Sequence, residues 1–268
     1  YLNVNHSLYI NLSDLGGEKM IANYHTHTRW CNHGVGEIEA YIQAAIAAGF
    51  KEIAMTEHVP HRDNEDPDRM RWEEFESYNR ELDQIIEKYK EKIHVIKGFE
   101  CEYYLHALED YKMFREEYGY EIFILGQHWS DNKRIDNFGP KGKEDLYIYA
   151  NEVCEGLETG IFTFLAHPDL VLQGYNNGVW DIDCEKVMRQ IFRTCERLNI
   201  PVEINANGIR GGRRYPDINS LKLSKEYKLT YLINADAHDP RFLNDGAIKE
   251  AEELAKRLGI AVTPILKL

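Results

Sequence analysis

The chain has 268 residues, 43% of them apolar, which is enough for one large domain with a substantial core. Its formal charge of −13 argues against a nucleic-acid clamp built on a basic surface. Five cysteines, an odd number with no C-x-x-C pair, argue against a disulfide framework and for a reducing cytoplasm. No apolar run approaches the about 20 residues that span a bilayer, so no membrane association is expected.

Residues 1–19 lack a signal-peptide pattern and read as a leader ahead of a domain spanning 20–268, with no function placed on His6. From there strands and helices alternate. A first strand over 20–24 runs into His25, and a helix over 37–49 stops at Gly49. A strand over 51–56 leads to Glu57-His58, and a charged amphipathic helix occupies 71–91. A strand over 93–99 ends at Glu100, and a helix covers 107–118. The strand over 121–125 precedes His128, the helix over 145–159 follows, and the strand over 161–166 ends at His167. A helix over 184–198, a strand over 201–204 ending at Asn205, a short helix over 220–227, a strand over 229–234 ending at Asp236 and His238, and a helix over 247–258 complete the chain. About seven β-α units in series predict one barrel-like α/β domain of parallel strands wrapped by helices, with its chemistry at the C-terminal strand ends. The segments 63–68 and 130–145 read as loops on that face, placed to act as lids.

The candidate ligands fall at those ends: His25, His27, His58, Glu100, His128, His167, Asp236 and His238, with His33 in the loop after the first strand. In His25-Thr26-His27 and Asp236-Ala237-His238, alternate residues of an extended segment point the same way. One such histidine alone reads as a structural residue. Nine potential ligands placed this way in one chain read as one multi-metal hydrolase site. Imidazole with carboxylate suits Zn, Fe or Mn better than Mg. Of the other histidines, His61 reads as a loop or substrate-facing group, His94 lies inside a strand and His106 opens a helix; none is assigned to metal.

His25-Thr26-His27-Thr28 followed by Cys31-Asn32-His33-Gly34 resembles the first motif of the polymerase and histidinol phosphatase (PHP) superfamily. The form is most similar to its stand-alone histidinol-phosphate phosphatases. Thr56-Glu57-His58, Gly98-Phe99-Glu100, Gly126-Gln127-His128, Ala166-His167-Pro168-Asp169 and Asp236-Ala237-His238 match later motifs in order. The resemblance runs from Met20 to about Pro240. It departs from the family pattern at Gln127, where a small polar or β-branched residue is usual, and at the bulky Trp129.

The resemblance implies a distorted seven-stranded (β/α)7 TIM-like barrel, in agreement with the strand count. It implies three divalent cations. The first would be held by His25, His27, Glu100 and Asp236, the second by Glu100, His128 and His167, and the third by His33, His58 and His238. It implies hydrolysis of the phosphomonoester L-histidinol phosphate, in histidine biosynthesis, by in-line attack of a hydroxide bridging the metals. Glu100 would be the bridge, and Asp236 or His238 would move the proton toward the leaving alkoxide.

For the phosphate the expected donors are Arg210 and Ser130, with Arg29, Arg62, Arg213 and Arg214 as alternatives. For the substrate's cationic end Glu57, Glu102, Tyr103 and Trp129 are candidates. Two further readings stand beside this one. The first is a phosphoesterase of the same superfamily acting on a nucleotide, an oligonucleotide or phosphotyrosine; the acidic balance disfavours a nuclease and the C-x-H-G form disfavours the phosphotyrosine branch. The second is a non-catalytic metal-binding module, against which the complete ligand set argues.

Overall fold

A computed structural model describes residues 20–267. The leader expected over 1–19 lies outside them.

The elements appear in the predicted order. Strand β1 (Ala22–Asn23) leads to helix α1 (Ile38–Ala48), β2 (Glu52–His58) to α2 (Phe75–Tyr89), and β3 (His94–Cys101) to α3 (Leu108–Tyr118). After β4 (Ile122–Leu125) comes a small antiparallel hairpin, β5 (Trp129–Ser130) and β6 (Ile135–Asp136), and then α4 (Lys143–Glu158). Next come β7 (Phe164–Leu165), α5 (Ile182–Leu198), β8 (Val202–Asn205), the short helices α6 (Ala206–Arg210) and α7 (Ile218–Ser224), β9 (Tyr231–Asn234) and α8 (Gly246–Leu258). Local chemistry marks the helix limits. Asp181, Asp217 and Asp245 accept from the first backbone N–H groups of α5, α7 and α8. Gly49, Gly119 and Gly259 end α1, α3 and α8 in the left-handed region.

Seven strands form one parallel sheet in the order β1-β2-β3-β4-β7-β8-β9. The sheet curls until its edges meet. There His27 N–H donates to Ala237 O at 2.8 Å, and Thr26 and Ala237 form a parallel bridge. Just before that point two buried asparagines replace the missing ladder bonds. Asn234 Oδ1 accepts from Tyr24 N–H (2.9 Å) and Asn23 Oδ1 accepts from Ala235 N–H (2.7 Å). The fold is thus a nearly closed, distorted seven-stranded barrel in a single domain.

Alternation along each strand sorts the side chains. Ala54, Ile96, Ile122, Ile124, Phe164 and Leu232 turn inward and pack with Ala22, Tyr24 and Leu266 in the barrel's inner cluster. Ile53, Met55, Phe99, Phe123 and Ile204 turn outward into the main core beneath the helices, where Phe99 stacks on Tyr120 at 4.4 Å between ring centres. The same parity carries His58 inward with Ala54, and Glu100 inward with Ile96. The inward face therefore changes from apolar to polar toward the C-terminal ends of the strands.

Candidate metal centre

All nine expected ligands converge on one cavity mouth. Glu100 is its centre, 1% exposed. Its Oε2 lies 3.2 Å from His25 Nε2, 3.3 Å from His27 Nε2 and 3.1 Å from His58 Nδ1. Its Oε1 lies 3.0 Å from His167 Nε2 and 3.3 Å from His128 Nε2. One carboxylate thus faces two groups of imidazoles with two different oxygens. Gly126 makes room for it, since a Cβ there would meet Glu100 Oε1 at 2.0 Å. Asp236 Oδ1 lies 3.6 Å from His25 Nε2 and 3.4 Å from His27 Nε2. At the rim, His33 Nε2 faces His238 Nε2 at 3.0 Å, and His27 stacks between His58 and His238.

Among the described residues the donor atoms of five sets lie within 4.8 Å of one another: His25 with His27 and Asp236, His25 with Glu100 and His167, His27 with His58 and Glu100, His33 with His58 and His238, and His27 with Cys31 and His238. Two of these ligands, His167 (φ 26°) and Asp236 (φ 44°), sit at positive φ. Such backbone is costly for a non-glycine residue and clusters at functional sites.

The electrostatics fit cations. Burial opposes the charged form of His25, yet Asp236, Glu203 and Glu100 outweigh it and hold the imidazole well above its usual range. His27 is raised to about 9, because the nearby carboxylates of Asp236 and Glu100 outweigh its burial. Burial alone would raise the carboxyls of Glu100 and Asp236, but the surrounding imidazoles hold both well below the carboxylate range. The rim imidazoles move the other way. Burial and the nearby His27 lower His33 and His58, and push His238 down to about 3. Their lone pairs are therefore free at neutral pH. His25 Nε2, both ring nitrogens of His27 and His58 Nδ1 are buried without an aligned hydrogen-bond partner. Buried polar atoms are rarely left so, and a cation beside each would satisfy them.

Behind the ligands stands a layer of buried carboxylates. Glu203 Oε1 accepts from His25 Nδ1 at 2.8 Å. Glu102 Oε1 lies 3.0 Å from His128 Nδ1, and both its oxygens also accept from Arg69. Arg69 is itself buried, and it donates to Val59 O and Asp66 as well, so its guanidinium is fully engaged.

The cavity holds about 650 Å³. Outside the ligands it is walled by Trp129, Phe138 and Tyr215, by the acids Asp66, Asp68 and Asp136, and by Arg213. Arg213 is exposed, and its one side-chain hydrogen bond goes to the Tyr215 hydroxyl.

The substrate contacts expected from sequence are placed differently. Arg210 turns away from the cavity. Its guanidinium grips Asp245 (2.7 and 3.2 Å) and donates to Ala235 O and Phe242 O, fastening α6 to the start of α8. Ser130 is buried inside the hairpin, accepting from Asn137 Nδ2. Glu57 is buried beneath the His33 loop, where Oε1 accepts from Thr28 N–H at 2.8 Å. Arg210 and Glu57 are engaged by partners distant in sequence, Asp245 and Thr28, and Ser130 by Asn137 across its own hairpin. Of the alternatives, Arg214 pairs with Asp217 and Arg62 with Asp110, while Arg29 pairs with Glu37 and Glu81; only Arg213 faces the cavity. Glu102 serves His128 rather than substrate, and Trp129 stands on the wall as expected. His61 is buried 3.7 Å from Glu102. Sequence reasoning missed Glu203, Arg69, Phe138 and Tyr215. Only Glu203 left a signal, an acid inside the apolar strand run Pro201-Val202-Glu203-Ile204.

A parallel barrel whose strand ends pool imidazoles around a shared carboxylate defines a class, the metal-dependent hydrolases. Comparison with known proteins narrows it. Residues 23–207 match the PHP domain, so the chain belongs to the PHP domain family. Seven of the nine ligands lie in that stretch, and Asp236 and His238 follow it. A probable histidinol-phosphatase of Schizosaccharomyces pombe is 25% identical over 250 residues, covering 81% of this chain and 80% of its own length. One from Deinococcus radiodurans is 23% identical over 248 residues, covering 87% and 93%. Among solved structures, the histidinol phosphate phosphatase of Lactococcus lactis, complexed with zinc, L-histidinol and phosphate, superposes with a TM-score of 0.73. It is 18% identical, over 91% of this chain and 96% of that one. A histidinol phosphatase structure from Listeria monocytogenes gives 0.69 at 19% identity, over 84% and 98%. These two likenesses speak for the fold.

Proposed function

We propose that this chain is a metal-dependent phosphomonoesterase that hydrolyses L-histidinol phosphate to L-histidinol and phosphate, a step of histidine biosynthesis carried out in a reducing cytoplasm. The observation that supports the chemistry is the split of Glu100 between two sets of imidazoles, with His25 Nε2, His27 Nε2 and His58 Nδ1 buried around one of its oxygens without an aligned protein partner. The names of relatives matched over four-fifths or more of this chain support the substrate.

His25, His27, Glu100 and Asp236 would hold one cation, Glu100, His128 and His167 a second, and His33, His58 and His238 a third, of Zn, Fe or Mn type. Divalent cations there supply Lewis acidity toward the phosphoryl oxygens and make a nucleophile from water at neutral pH. The protein's own groups do the rest. Arg213, whose outward guanidinium edge is uncommitted, binds a phosphoryl oxygen through its planar fork. The Tyr215 ring packs against His167 and fixes that wall. Asp236 Oδ1, or the His238 imidazole 3.5 Å from it, would take a proton from the attacking water and return it to the leaving alkoxide oxygen. Asp66, Asp68 and Asp136 face the substrate's ammonium and imidazole, with Trp129 and Phe138 as flat apolar walls. The same acids would repel the neighbouring phosphates of a nucleic acid. No helix among the described residues is long and apolar enough to cross a membrane.

The test is phosphate release from L-histidinol phosphate by protein stripped with chelator and then restored with Zn, Mn or Fe(II). Restored turnover is expected. A metal-replete protein that releases no phosphate from this ester refutes the reading.

A further inference from the structure

Six barrel strands deliver the ligands, and β8 delivers none. Its two inward side chains are polar nonetheless. Val202 and Ile204 turn out into the main core, so Glu203 and Asn205 turn in. Both are buried, at 2% and 1% exposure. A carboxylate in that position costs stability unless donors surround it.

Glu203 has four donors. Its Oε1 accepts from His25 Nδ1 at 2.8 Å and from Asn234 Nδ2 at 3.0 Å. Its Oε2 accepts from the backbone N–H of His167 at 3.0 Å and from Asn205 Nδ2 at 2.8 Å. Asn205 Nδ2 also donates to Asp236 Oδ2 at 3.0 Å, and its Oδ1 caps α6 through Gly208 N–H. Two residues of one strand therefore touch His25, His167 and Asp236, ligands carried by three other strand ends. Two of those three sit at positive φ, and the contacts from β8 hold them there.

Charge completes the case. Glu102, the other carboxylate behind a ligand, is neutralised by Arg69. No Lys or Arg is among the hydrogen-bond partners of Glu203, which are one imidazole, two amides and one backbone N–H. Its compensating charge comes through His25, whose Nε2 on the far side is buried and has no aligned partner.

We propose that Glu203 is the positioning residue of the metal centre. It fixes His25 as the Nδ1–H tautomer and leaves Nε2 to a cation. With Asn205 it locks His167 and Asp236 in their strained backbones. The inference rests on the metal-dependent reading above but not on which phosphoester is cleaved.

Cobalt(II) binding without substrate tests it. Glu203→Gln keeps size and an acceptor but removes the charge and the tautomer preference. Its cobalt affinity in chelator competition should fall about 10- to 100-fold, with a changed visible d–d spectrum. In a His25→Gln background, Glu203→Gln should add little further loss. Unchanged affinity and spectrum in Glu203→Gln overturn the proposal. Should that variant not fold, zinc-loaded wild-type protein labelled with nitrogen-15 on histidine decides. His25 metallated at Nε2 and protonated at Nδ1 supports the proposal, and the reverse overturns it. A wild-type chain that takes up no cobalt overturns the metal reading, and this inference with it.

Discussion

Arg210 and Arg213, two of the arginines that follow β8, show how alike side chains part ways within three positions. Arg210 is half-buried with its fork closed on Asp245, whereas Arg213 stands at the cavity wall with donors to spare. Arg213→Ala should raise KM for a phosphomonoester by about tenfold or more, as expected for a lost charge-assisted hydrogen bond, and leave bound metal unchanged. An unchanged KM would remove Arg213 from the phosphate site. Arg210→Ala should instead cost stability, about 2 kcal/mol by denaturant unfolding, with KM little altered. Glu100→Gln goes further, because an amide cannot bridge two cations as a carboxylate does. It should lose at least one cation and nearly all turnover. Full metal content with near-wild-type turnover would break the assignment of Glu100 as the bridge.

The elements tell why the site was legible and its surroundings were not. Apolar runs placed His58 and Glu100 at strand ends from sequence alone, because a buried strand shows as such a run without tertiary information. The strand limits were less clear: β2 and β3 run on through His58 and Glu100, while β1 and β7 are only two residues long. At β1 the ladder is partly replaced by asparagine side chains, which hydrophobic patterning does not register. The hairpin of β5 and β6 lies in a segment read as loop, since its strands are too short to show a period. Arg210 was misplaced because its partner lies 35 residues away, and Glu203 was missed because an acid in a strand reads as a weak strand. Close packing between elements carries its own test. Gly126 lets β4 pass against the carboxylate of Glu100, and Gly126→Ala would drive a methyl into it. That variant should fold but lose cation binding and activity together; wild-type metal content would show that Glu100 has room to spare.

For the molecule as a whole, the proposed metal centre would also be a clasp. Its ligands would come from six strands that span the barrel from β1 to β9, including the edges that meet through Thr26 and Ala237. Cations that bind only the folded chain stabilise it by mass action, about 2.7 kcal/mol at a hundredfold excess over Kd, or roughly 5–10 °C in Tm for a domain of this size. Chelation should lower Tm by about that much and re-addition should restore it; a Tm indifferent to chelator would mean the barrel closes without them. The acidic, aromatic mouth should favour a phosphate ester whose alcohol is cationic over one whose alcohol is a neutral nucleoside. The most direct test is kcat/KM of the metal-replete protein for L-histidinol phosphate against a nucleoside monophosphate. A preference of about a hundredfold or more for histidinol phosphate is predicted, the scale of one or two charge-assisted contacts. Equal values, or a preference for the nucleotide, would contradict the account.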